Sequence, residues 1–228
     1  MKSINAKKGL KKVFISQVFA IIMAMLSSCT MLFIGMFKVL SVDSETVSSL
    51  FELAVLSITF SASMLLTAVF SYIFGIIGYY QAGKVEAEFK KSMLCMIASG
   101  ALVIIGNFFQ IPNGTLYTIL TSAGSIVEMF VMVFSISGII RLSDNFESVE
   151  MSERGDRLLK ILVAIYIISA IDTLIIRIFE LSAQAKIVSF IIDVIDLALI
   201  VLRYVLYMRY LHGAMKMLAE NNADVLRS

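Results

Sequence analysis

The sequence predicts an all-α, polytopic integral membrane protein: a six-helix transmembrane bundle with both termini on the cytoplasmic side. Three observations lead there. First, the 228 residues are 59% hydrophobic and 16% charged, with a mean hydropathy of +0.92. Soluble domains run at about 45–50% apolar and about 25% charged, so this apolar excess cannot be hidden in one water-facing core. Second, the apolar residues gather into six runs, each near the roughly 20 residues a helix needs to cross a hydrocarbon layer about 30 Å thick. Third, Lys and Arg fall mostly on alternate connections between those runs, with only Lys38 and Lys186 on the others, which sets orientation by the positive-inside rule.

The first span, about 13–37, follows Lys11 and Lys12. Its Leu26-Ser27-Ser28-Cys29 matches the layout of a cleaved lipoprotein signal, with Cys29 as the lipidated residue. The apolar run continues through 31–37, which a removable signal does not need, so the first helix is expected to stay uncleaved. The second span, about 53–80, carries Thr59, Ser63, Thr67, Ser71 and Gly75 at every fourth position. That spacing puts five small side chains in one row, a helix-packing seam where backbones approach closely. A hydroxyl-lined path for a polar solute is the alternative use of the same row.

The third span, about 92–109, is the shortest and is uncharged from Met93 onward. The fourth, about 116–140, contains Glu128. Between them lies Pro112, the only proline, so no span is expected to be broken. The fifth, about 158–179, contains Asp172 and Arg177, and the sixth, about 187–210, contains Asp193, Asp196 and Arg203. Residues 1–228 thus read as a single transmembrane domain, with 211–228 as a short cytoplasmic tail. Leu211, Met215 and Leu218 share one helical face there, so the tail is expected to continue the sixth helix along the membrane surface. The longest connection, about 141–157, alternates Asp144, Glu147, Glu150, Glu153 and Asp156 with Arg154 and Arg157. It reads either as a contact loop for another protein or as solvated helical turns.

Basic lead-ins recur before the first, third and fifth spans: Lys11-Lys12, Lys90-Lys91 and Arg157 with Lys160. They suggest three helical hairpins in tandem. The positive-inside rule by itself also produces such a pattern.

The ionisable residues inside the spans carry the functional expectation, because each costs a few kcal/mol or more in hydrocarbon unless paired or hydrated. Glu128 lies about 18 Å along its helix from the outer end, Asp172 about 12 Å, and Asp193 and Asp196 about 10 and 15 Å. Asp193, Asp196 and Arg203 fall on one stripe that also holds Ile200, Tyr207 and Tyr210. Four carboxylates face two counter-charges, Arg177 and Arg203, so not every acid has a guanidinium of its own. The expectation is an outward-facing acidic pocket of Glu128, Asp172, Asp193 and Asp196 that binds or passes a small cationic solute or ion. The alternative is a non-catalytic scaffold or assembly partner whose intramembrane acids fix helix register.

Other chemistry finds little support. No His-Glu-x-x-His, Gly-x-Ser-x-Gly or phosphate-cradling loop is present. One His and two Cys do not make a zinc or iron–sulfur site by themselves. The chain is therefore expected not to be an enzyme and to need no cofactor or metal. A net charge of +2 without a basic stripe gives no nucleic-acid footprint. The expected partners are the lipid bilayer, a small cationic solute, and a membrane protein or a second copy in a homo-oligomer. With no cleavable targeting segment expected, the simple topology suits a plasma membrane of bacterial type.

Overall fold

The computed structural model describes the backbone of residues 2–40, 47–109, 114–179 and 185–225. It describes the side chains of residues 4–26, 59, 61–109, 116–117, 119–169, 194–195 and 197–221. Within those residues the protein is all-α. Six helices follow one another: α1 (Lys2–Leu40), α2 (Val47–Ala82), α3 (Glu88–Phe108), α4 (Gly114–Asn145), α5 (Val149–Phe179) and α6 (Ala185–Val225). Four of them contain a described stretch long and apolar enough to cross a membrane: Ile4–Leu26, Ser61–Ala82, Glu88–Phe108 and Ile119–Asn145. Such helices suit a membrane location.

Each helix packs on its neighbours in sequence, and α6 closes onto α1. Neighbouring helices run antiparallel. Gly9 and Val13 of α1 lie against Ala82 and Gly78 of α2, and Ser99 and Phe89 of α3 lie against Gly124 and Gly138 of α4. Met151 and Gly155 of α5 lie against Gly213 and Tyr210 of α6. Alternation over six helices brings both ends of the described chain to one end of the bundle, together with the 83–87 and 146–148 connections. Lys7, Lys8, Lys11, Lys84, Lys90 and Arg141 are exposed there, so this is the basic end.

The tightest packing is also at the basic end. Leu10, Tyr79, Phe89, Ile136, Ile139, Leu211 and Leu218 have no exposed surface. Close approach of α1 and α2 depends on glycine: a Cβ on Gly9 would fall 2.6 Å from the Ala82 backbone nitrogen, and one on Gly78 would fall 2.7 Å from that of Val13. Higher in the same groove, Ser16 Oγ donates to the Ser71 carbonyl at 2.8 Å and Ser71 Oγ donates back to the Ser16 carbonyl at 3.0 Å. Reciprocal bonds of this kind hold helices together where lipid offers no hydrophobic drive.

An ion-pair cluster closes the same end. The Glu88 side chain, only 5% exposed, lies 3.1 Å from Arg141 and 3.0 Å from Lys91, and Arg141 also reaches Glu86 at 3.6 Å. It ties the start of α3 to the end of α4. Away from this end the apolar side chains turn outward: Leu65, Ile104, Phe108 and Ile126 are all more than half exposed. That arrangement suits lipid contact.

Two sequence expectations change. The 141–157 connection is not a long loop: α4 runs to Asn145 and α5 starts at Val149, leaving only 146–148. Glu150–Arg154 at 2.6 Å and Glu153–Arg157 at 3.6 Å support the water-facing turns, while Leu142 and Met151 are buried beneath. The break itself is a Schellman ending. Glu147 has φ 56°, the Ser148 amide donates to the Ser143 carbonyl at 2.8 Å, and the Glu147 amide donates to Asp144 at 3.1 Å. The second change concerns residues 211–221, which do not peel away along a surface. Leu211, Ala214 and Leu218 are fully buried, and α6 packs against α1 as well as α5. An apolar face extended by two further turns gains more against two neighbouring helices than against headgroups.

Candidate polar site

Arg203 is a partly buried cation on α6. It comes from the stripe of α6 that turns inward, where Tyr204, Tyr207 and Tyr210 are buried while Leu202 and Val205 on the other face are exposed. Its guanidinium carbon lies 4.6 Å from the ring centroid of Tyr166 on α5 and 5.0 Å from that of Tyr204. Two aromatic rings at these distances attract the cation. The guanidinium also hydrogen-bonds Tyr204, while its buried Nε has no hydrogen-bond partner among the described residues. Among the described residues no carboxylate lies within ion-pair distance of it.

Glu128 supplies the opposite charge. It sits half-buried on α4, and its field acts on Arg203, Tyr166 and Tyr204 across the bundle and on Tyr72 and Tyr79 of α2. Residues of three other helices, α2, α5 and α6, therefore lie within range of this carboxylate's charge. Tyr166 also places its hydroxyl 3.8 Å from the Met132 sulfur, one turn along α4 from Glu128.

Toward the basic end from Arg203 and Glu128, three hydroxyls join alternate helices. The hydroxyls of Tyr79 on α2 and Tyr207 on α6 are 3.2 Å apart, and Tyr207 also bonds Ser135 Oγ on α4. All three residues are buried. Tyrosine length makes the bridge, because α2, α4 and α6 are not sequence neighbours and are separated by the odd-numbered helices. These three buried residues lie between Arg203 and the basic end.

The sequence-predicted site residues divide sharply. Glu128 and Arg203 are brought into one neighbourhood. Asp172 and Arg177 fall on α5 and Asp193 and Asp196 on α6, but their side chains lie outside the described residues, as does that of Cys29. Of the small-residue row, Ser71 is buried against α1, and Gly75 is buried between α1 and α3, where a Cβ would fall 2.5 Å from Met96 Cε and 2.9 Å from Ser16 Oγ. Thr67 is partly buried and bonds its own helix at Ser63 and Met64, whereas Ser63 and Thr59 are exposed, with Ser63 Oγ donating to the Thr59 carbonyl at 2.9 Å. Among the described residues no group of three His, Cys, Asp or Glu gathers.

Sequence reasoning placed Tyr207 on the correct stripe but missed Tyr166, Tyr79, Tyr72 and Ser135. Their signal was available: hydroxyl-bearing residues inside apolar spans, on helices that also carry or face a charge. No protein-family model matches the chain, and no curated protein or solved structure is similar enough to count as a relative. Function therefore rests on the chemistry of this site.

Proposed function

We propose that the chain crosses the bilayer six times, with both termini cytoplasmic, and binds or passes a small cationic solute or ion through a polar site in the interior of α4, α5 and α6. The carrying observation is Glu128: a carboxylate in the middle of an apolar helix, without an ion pair among the described residues, whose field spans four tyrosines and Arg203. Intramembrane carboxylates mark solute and ion pathways, and tyrosine faces beside a carboxylate add cation–π attraction for an ammonium group. Asp172, Asp193 and Asp196 are proposed to extend the site on the outer side, with Arg177 and Arg203 as counter-charges. The closed hydroxyl layer of Tyr79, Tyr207 and Ser135 supports access from the side away from the basic end. With the basic end in the cytoplasm, that side is external. A plasma membrane is the proposed setting, and the role is binding or transport rather than catalysis.

The test is thermal unfolding of purified full-length protein in lipid nanodiscs across metal ions, polyamines and simple ammonium compounds. A ligand at about 100 times its Kd stabilises by about 2.7 kcal/mol, a readily measured rise in Tm. The rise is expected to disappear in Glu128→Gln and to weaken in Asp196→Asn. If no compound shifts the melting point and both variants behave as wild type, the acids serve helix register and the scaffold reading replaces this one.

A further inference from the structure

The outer side of the contact between α1 and α6 gathers basic side chains from both helices. Phe14 on α1 and His212 on α6 meet with ring centroids 6.5 Å apart, which fixes the register of these two antiparallel helices. Lys11 and Lys7 lie three and seven residues from Phe14 toward the basic end, on the same face of α1, and Lys216 lies four residues beyond His212 in the same direction. Arg209, three residues before His212, continues the stripe the other way. A rise of about 1.5 Å per residue spreads these four cations over about 15 Å of two helices whose axes stand about 8–10 Å apart. They and His212 are exposed, whereas the next residues round each helix, Leu10 and Leu211, are buried. The other cations of this end are differently placed: Lys91 and Arg141 pair with Glu88, Arg154 with Glu150 and Arg157 with Glu153. Of the five on α1 and α6, Lys216 alone has a carboxylate within 4 Å among the described residues, Glu220 at 3.8 Å. Farther from the basic end the same two faces turn apolar. Ile22 on α1 and Val205 on α6, two turns from Phe14 and His212, are 40% and 46% exposed.

We propose that this seam is a binding site for an anionic phospholipid, its phosphate received by Lys11, Arg209 and Lys216 and its acyl chains running past Ile22 and Val205. Clustered basic side chains between helices at headgroup level attract anionic lipids. The aliphatic continuation along the same two faces matches the rest of a lipid molecule, and a soluble anion has no use for it. This proposal does not depend on what Glu128 binds.

The test is native mass spectrometry of full-length protein in neutral detergent, with phosphatidylglycerol or phosphatidylcholine added at equal concentration. Each basic side chain near an anionic headgroup is worth about fivefold in affinity, so phosphatidylglycerol is expected to bind at least about tenfold more tightly. Lys11→Gln combined with Lys216→Gln is expected to remove most of that preference, and Lys11→Arg with Lys216→Arg to keep it. All of these changes are on exposed side chains, so the fold is expected to survive them. Arg154→Gln with Lys160→Gln makes the same change of net charge on α5 and is expected to keep the preference too. Equal binding of the two lipids overturns the proposal. So does an equal loss in the α5 variant, which would show a response to net charge without a site. Inorganic phosphate or glycerophosphoglycerol displacing the lipid at comparable concentration also overturns it, in favour of a free anion.

Discussion

The basic end of the bundle and the interior around Glu128 treat charged side chains in opposite ways. At the basic end Ser16 and Ser71 exchange bonds across α1 and α2, and Glu88 is held between Arg141 and Lys91. Ser92 and Ser143 bond their own helices there, and the exceptions are single amide oxygens of Gln17 and Gln81. One level in, Arg203 has aromatic faces but an unpartnered Nε, and Glu128 makes no ion pair among the described residues. Satisfied polar groups fix structure. A charge kept in an apolar interior without direct pairing costs stability, and such residues are retained where a ligand or ion uses them.

That contrast can be broken by experiment. The largest effect is expected from removing core volume at the basic end: Ile136→Ala should cost about 3–4 kcal/mol, while Leu65→Ala, on an outward face, should stay within about 0.5 kcal/mol. Reversible unfolding in mixed micelles measures both, and similar losses at the two positions would show that the outer face is packed against something. Gly78→Leu comes next. Its side chain must enter the space of the Val13 backbone, and separating α1 from α2 should cost about 2–3 kcal/mol in the same assay. Tyr207→Phe removes the hydroxyl shared by Tyr79 and Ser135, for an expected loss of about 1 kcal/mol, the scale of interhelical hydrogen bonds within membranes. A much larger loss would make this layer the main lock between alternate helices. The smallest change is a gain. Glu147→Gly relieves a left-handed residue at the α4 ending and should raise stability by about 0.5–1 kcal/mol, read as a Tm increase.

Much of this architecture was legible in the chain because membrane helices obey a local rule: length and apolarity decide them without reference to partners. The runs around 92–109 and 116–140 correspond to α3 and α4, and the small residues Ser71 and Gly75 lie in a close helix contact. The same row was misleading at Thr59 and Ser63, since a four-residue repeat says which side chains align but not how far the neighbouring helix follows them. The 141–157 segment was read as a long connection because hydropathy falls there. Its helicity depends on paired charges outside and on Leu142 and Met151 underneath, which a hydropathy window does not weigh.

The sequence by itself determined that the chain is helical and apolar, and it fixed which residues are costly enough to draw attention, Glu128 and Arg203 among them. Composition and periodicity act along one chain, so those properties follow from residue order alone. Only the tertiary structure decided that Arg203 lies between Tyr166 and Tyr204 and that Tyr79, Ser135 and Tyr207 meet across alternate helices. It also decided that the end of α6 stays packed in the bundle, with Leu211, Ala214 and Leu218 buried. Each of these joins helices far apart in the chain, and which faces meet is set by close packing at Gly9, Gly78 and Gly124, where small residues permit an approach that other positions forbid.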